Sequence, residues 1–329
     1  MDWKRYIPPA LALFVLSPAV GELLSGSSPP LEFFNPFSLI FLLFLYGGGA
    51  IIIRELALRW NKGWPSILVM GAAYGIVEEG LMVKSFFNPA WMDIGILGSY
   101  GRWLGVNWAW TLELIIFHAV FSITIPILLV SLAYPEKRRD PWVGKRMFLL
   151  LCALLIGTVI FGYFLLAPYP VPPALYLSAI IAVIVLMAIA RWLPNPMFKA
   201  REAKVPKPRW FLALGFIWGT AFFIIAWVVP ATGIDPLVTL ALFIISVIVL
   251  AYAVLKMSAN GGAWSARHQL ALAAGVLGFL IILSPIMEFN GGIGMTAVGL
   301  LFCALLISLY VLLVRREKDA KMGPGVVEI

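Results

Sequence analysis

Two adjacent glutamates, Glu78 and Glu79, interrupt the apolar stretch AYGIVEEGLMVKSFF (72–86), and a histidine, His118, follows in ELIIFHAVFSITIPIL (113–128). These residue types carry acid–base chemistry. Neighbouring carboxylates in a dry environment oppose each other's ionisation, and a carboxylate beside a neutral imidazole can take a proton from water as a general base. The same three residues form a weakly signalled zinc set, since zinc usually takes three protein ligands and favours His or Cys. G-x-S-x-G is absent, and so is a glycine-rich phosphate loop followed by lysine. The glycines of YGGGA (46–50) lie inside an apolar run, where small residues let helices pack closely.

The chain that must position these groups is built for lipid. Of its 329 residues, 62% are hydrophobic and 12% charged, and the mean hydropathy is +0.98; a soluble domain carries about twice that share of charge. Ten stretches approach the roughly 20 apolar residues needed to cross ~30 Å of hydrocarbon: 7–24, 37–57, 65–84, 107–134, 144–166, 171–190, 210–230, 235–256, 268–288 and 293–314. The alternating segments of a membrane β-barrel are missing. The fold class is therefore all-α, a polytopic integral membrane protein of about ten transmembrane helices. Glu22 stands where the small residues of a signal cleavage site belong, so the first stretch reads as a retained helix. Cys152 and Cys303 fall inside predicted helices and imply no disulfide framework.

The formal charge of +8 has a topological pattern. Of the 24 Lys and Arg, all but Arg54, Lys84 and Arg102 fall in alternate loops and at the two termini, and the loops between them carry none. This positive-inside pattern assigns both termini to the cytoplasmic side of a cell membrane. It makes the lipid bilayer, with no nucleic acid, the expected partner of the basic surface.

Two parts follow. Residues 1–140 hold four helices with nearly all the intramembrane polar groups, and an aromatic, glycine-rich segment, 85–106, expected to be interfacial or re-entrant at the outer side. Residues 141–329 hold six apolar helices that read as scaffold, with a Pro- and Lys/Arg-rich connector at 191–209. Ionisable groups inside spanning helices are costly, so they are the functional candidates. Glu78, Glu79 and His118 are assigned to one outward-side cavity, with Glu22, Glu113, Lys84 and Arg102 as surrounding or cavity-lining groups. A competing reading has Glu78 and Glu79 pairing with Lys84 or Arg102 to fix the outer loop. Arg54 and Glu55, about 100° apart on a helix, are expected to find different partners.

At YGIVEEGLMVKSFF and ELIIFHAVFSITIPIL the chain resembles the CPBP family of membrane-embedded CAAX-type proteases and bacteriocin-processing proteins. That family carries Glu-Glu-x-x-x-Arg on one helix, Phe-x-x-x-His on a later one and His-x-x-x-Asn/Asp further on. Glu78 and Glu79 match the pair, and His118 stands at the expected distance. Val83 occupies the Arg position with Lys84 one residue late, Leu114 occupies the Phe position, and the third motif has no counterpart. The resemblance implies a hydrolase acting on a peptide or lipid-linked substrate, with Glu78 or Glu79 as general base and His118 orienting the water. Two other classes fit the same residues. One is a proton- or cation-coupled transporter in which the carboxylates relay protons; the other is a scaffold whose polar cluster only holds helices together.

Overall fold

A computed structural model describes residues 7–262 and 264–322. Each of the ten apolar stretches forms a helix. These are α1 (Pro9–Leu24), α2 (Pro36–Arg59), α3 (Trp64–Gly75 continued by Ile76–Met82), α4 (Trp108–Ala133) and α5 (Lys145–Leu166), followed by α6 (Pro173–Trp192), α7 (Pro208–Val228), α8 (Pro236–Met257), α9 (Ala266–Phe289) and α10 (Met295–Met322). Proline stands in the first turn of α1, α2, α3, α6, α7 and α8, where its missing N–H leaves no helical bond unmade. Asn35 and Asp235 cap α2 and α8 by accepting from Phe37 N and Leu237 N.

Eight of these helices are long and apolar enough to cross a membrane. α1 spans Pro9–Leu24 and falls short of that length, reaching only about 24 Å at 1.5 Å per residue. α3 is not among the eight, its hydropathy being lowered by the two glutamates. The expectation of an all-α chain meets one small departure. In the 85–106 segment, Arg102–Trp103 and Val106–Asn107 form a two-stranded antiparallel hairpin. Phe86, Phe87 and Val106 of this segment pack with Ala179 of α6, so its irregular backbone rests on protein.

The helices alternate in direction and share two ends. At the basic end, the Tyr134 hydroxyl donates to Ile7 O, Lys62 Nζ to Leu193 O, and Arg316 to the carbonyls of Leu132 and Ala133. At the opposite end, Asn107 N donates to Phe86 O and Tyr100 bonds Thr239. The apolar core is continuous from Leu13 of α1 to Leu313 of α10. Burial ranks the helices: 72% of the α4 window and 56% of the α2 window lie inside the protein, against 11% for α5, α6 and α8. The first two are central. The last three turn most of their apolar surface outward, as lipid-facing helices do.

The expected close packing at YGGGA is present. A Cβ at Gly47 would lie 2.2 Å from Phe14 O on α1, so only glycine allows α1 and α2 this approach. Gly47→Ala is expected to destabilise by about 1–3 kcal/mol through overpacking. Gly157→Ala on the outer face of α5, where nothing lies within 4 Å of the added methyl, should be neutral or mildly stabilising. Thermal unfolding of the two variants in detergent checks the contrast; equal melting temperatures would refute it.

Candidate functional site

Glu78, Glu79 and His118 come together on α3 and α4. Glu79 Oε1 lies 3.4 Å from His118 Nε2, and Glu78 Oε2 lies 3.5 Å from His118 Nδ1. The imidazole hydrogen-bonds Glu79 through Nε2, while Nδ1 bonds Ser122 Oγ with Glu78 Oε2 close by. Adjacent residues on an ordinary helix diverge too far for this. Here Ile76–Met82 is a π-helical turn, which winds more slowly and lets both side chains reach one partner. His118 begins another such turn, His118–Thr124. Gly71 brings the two helices together, since a Cβ there would sit 2.8 Å from Ala119 Cα.

Two more π-helical turns complete the cluster. Glu22 lies in Ala19–Leu24 of α1, and Tyr46 in Leu43–Gly47 of α2. The Tyr46 hydroxyl makes short hydrogen bonds to Glu22 Oε1 and Glu78 Oε1. The phenol thus links the carboxyl groups of α1 and α3. Ser28 Oγ donates to Glu22 Oε2 at 2.7 Å, and Ser85 Oγ donates to Glu79 Oε2 while accepting from Trp110 Nε1 at 3.0 Å. Ser122 Oγ lies 3.1 Å from His118 Nδ1. Ser17 Oγ stands within 3.1 Å of Tyr46 O and 2.7 Å of Ser122 O, two carbonyls of the π-helical turns. The His118 ring is also flanked by the rings of Tyr46 and Tyr74, each 5.9 Å away.

The His118 side chain is 2% exposed, that of Glu78 6% and that of Glu79 13%. Glu79 is therefore the member of the trio most open to an incoming molecule. Glu78 Oε2 is buried without a hydrogen-bond partner, and His118 Nδ1 lies 3.5 Å from it.

The other expected residues fall elsewhere. Lys84 is buried with Nζ donating to Tyr163 O at 2.6 Å and lying 3.8 Å over the Tyr163 ring. Arg102 donates to the carbonyls of Gly98, Phe87 and Gly105 and holds the hairpin segment in shape. Burial lowers its pKa. Neither cation forms an ion pair with Glu78 or Glu79 among the described residues, so the clasp reading of the two glutamates is not what the side chains do. Glu113 is buried five residues before His118 and faces Trp227 of α7, with Oε2 unpartnered.

Arg54 and Glu55 depart from expectation. They bond each other, Arg54 Nη1 to Glu55 Oε1 at 2.7 Å, because the long arginine folds back across the 100° step. Arg54 also donates to Lys137 O and Arg138 O and stacks 3.9 Å over Trp142. Glu55 accepts from Trp142 N and meets Arg59 at 3.3 Å. The pair is a buried clamp on the loop between α4 and α5, about 12 Å along α2 from Tyr46 at 1.5 Å per residue.

One ligand atom from each of Glu78, Glu79 and His118 lies within 4.8 Å of the other two, so the trio could hold a metal ion. Zinc, which favours His or Cys and usually takes three protein ligands, would find one imidazole here. The arrangement suits a proton passed between carboxylates, or a water held at Glu79 and His118.

Tyr46, Ser17, Ser85 and Ser122 were not singled out by the sequence reading. The only signal for Tyr46 was a hydroxyl in an otherwise apolar run, beside glycines read as packing residues. Breaking the inner clamp should be costly. Arg54→Met is expected to lose about 3–5 kcal/mol by stranding Glu55, and Arg54→Met with Glu55→Leu less than that. Chemical or thermal unfolding of both variants decides it; a double variant no more stable than the single one would contradict the ion-pair account.

No curated protein and no solved structure matches the chain. Residues 11–322 match the sequence model of an uncharacterized membrane protein family, and the chain belongs to that family.

Proposed function

We propose that this protein is a membrane-embedded hydrolase of CPBP-like chemistry, cleaving a peptide or lipid-linked substrate. The observation that carries the reading is His118 set between Glu79 at 3.4 Å and Glu78 at 3.5 Å. A water at hydrogen-bonding distance from Glu79 Oε1 and His118 Nε2 meets a base and an orienting group at once. Glu79 takes a proton from that water, and the oxygen bonds to the substrate carbonyl carbon. The bond to the leaving nitrogen or oxygen then breaks, and the leaving atom takes a proton supplied from the Glu78 side. The proton on Glu79 returns to Glu78 over His118 when Nδ1 and Glu78 Oε2, 3.5 Å apart, close to hydrogen-bonding distance. Tyr46 and Glu22 position Glu78 from behind. The basic end faces the cytoplasm in this reading, so substrate reaches Glu79 from the outer side.

The rival proton-relay reading has one observation in its favour, the row Glu22–Tyr46–Glu78–His118–Glu79, hydrogen-bonded throughout except for the 3.5 Å gap between Glu78 Oε2 and His118 Nδ1. That chain stays at one end of the bundle. Helices α5 to α8 contain no carboxylate or imidazole to continue it.

Glu79→Gln and His118→Ala are each expected to reduce turnover by about 10²–10⁴-fold while the protein still folds. Tyr46→Phe should cost roughly tenfold or more through loss of a hydrogen bond to a charged group. The readout is mass spectrometry of new peptide termini and lipid fragments in membranes containing the wild type or Glu79→Gln. Identical product sets would remove the hydrolase assignment. Elemental analysis of the purified protein should find less than one bound zinc per chain; stoichiometric zinc lost in Glu79→Gln would replace the metal-free mechanism with a metal-assisted one.

A further inference from the structure

The basic end carries a surface that the hydrolase reading does not use. Between α6 and α7 the chain runs without helix or strand from Leu193 to Lys207. It is nevertheless held in place. Lys62 Nζ donates to Leu193 O at 2.6 Å, Asn195 Nδ2 to Asn61 O at 2.8 Å, and Arg201 N to Ala259 O at 2.9 Å. Asn260 Nδ2 donates to Lys199 O at 3.0 Å, and His268 Nε2 lies 2.9 Å from Pro206 O. The backbone groups of this strap are thus bonded inward to the α2–α3 turn, the α8–α9 loop and the start of α9.

The side chains go the other way. Arg191, Lys199, Arg201, Lys204, Lys207 and Arg209 are all exposed, and none forms an ion pair among the described residues. Glu202 is the one acidic residue in 191–209. At the two helix ends that flank the strap, Trp192 is 79% and Trp210 56% exposed, and Phe198 is exposed between them. Tryptophan at the end of a membrane helix marks the headgroup level. Unpaired cations fixed at that level, with aromatic anchors on both sides, are complementary to a negatively charged lipid surface.

We propose that the 191–209 strap is a binding surface for the headgroups of anionic phospholipids in the leaflet at the basic end. Pre-fixing the backbone lowers the ordering cost of binding. A basic residue close to an anionic surface strengthens attraction by roughly fivefold, so three or more acting together give a measurable preference. The proposal stands whether or not the protein is a hydrolase.

The test uses full-length protein reconstituted in bilayers of equal phosphatidylglycerol and phosphatidylcholine, re-extracted, and analysed for retained lipid by mass spectrometry. Both leaflets have the same composition, so inverted insertion does not alter the result. The wild type is expected to retain phosphatidylglycerol several-fold over the supplied ratio, with the enrichment falling as salt rises. Lys199→Gln, Arg201→Gln and Lys204→Gln together should return retention toward the supplied ratio. Arg139→Gln, Lys145→Gln and Arg146→Gln, equal in charge and on the same face, should keep most of it. Equal loss in both triple variants, or none in the strap variant, overturns the proposal. So does binding of a mixed-sequence RNA oligonucleotide that the strap variant loses while its lipid retention is unchanged. If the strap variant does not fold, salt-insensitive retention by the wild type overturns it equally.

Discussion

Three carboxyl groups, Glu22, Glu78 and Glu79, are gathered inside a helical bundle with no lysine or arginine paired to them among the described residues. Charge is expensive in hydrocarbon, and one imidazole cannot balance three negative groups. The local architecture follows from that constraint. Tyr46 joins Glu22 to Glu78, Ser28 and Ser85 hold one oxygen each of Glu22 and Glu79, and His118 approaches the remaining oxygens of Glu78 and Glu79. Each arrangement depends on a departure from regular helix, and the four π-helical turns of α1 to α4 lie where these side chains sit. A wide turn frees carbonyls as well as re-aiming side chains, which is why Ser17 is buried between Tyr46 O and Ser122 O.

The other end of the bundle meets the same cost differently. Arg54 and Glu55 neutralise each other, and the spare capacity of both groups goes to the backbone of the following loop. Glu55 Oε2 makes no hydrogen bond but meets the Arg59 guanidinium at 3.3 Å, so the carboxylate is balanced by two cations. The glutamate–histidine cluster has no lysine or arginine paired to it among the described residues. Glu78 Oε2 has no hydrogen bond, and Glu79 keeps part of its surface open. One cluster clamps; the other retains free capacity.

The helices were legible in the sequence because length and hydropathy decide them: every one of the ten apolar runs is helical, although α1 and α3 fall short of what a single span requires. The meeting of Glu78, Glu79 and His118 was also legible, since depth along alternating helices put them at one level. What could not be read were features that depend on a half-turn of helix or on the reach of a side chain. Nothing in IVEEGLM announces a π-helical turn, so the orientation of two adjacent glutamates toward one imidazole was hidden. Tyr46 was hidden for a similar reason, its neighbours Gly47 and Gly49 having an evident packing role of their own. Arg54 and Glu55 were misjudged because an angular step between Cβ atoms says little about where a four-atom side chain ends.

These differences bear on which functional class the cluster serves. A scaffold gains little from buried ionisable groups, because apolar residues of similar volume hold helices together as well or better. A relay that serves transport must continue through the membrane, and beyond the cluster the one buried carboxylate toward the other end, Glu55, is tied to Arg54 and Arg59, with α5 to α8 offering none. A water-activating site needs only one end. In the proposed hydrolase the base would be Glu79, the most accessible of the three, with His118 orienting the water and Glu78 resupplying a proton. The residual openness of Glu79, a liability to a clamp, is a requirement for a hydrolase.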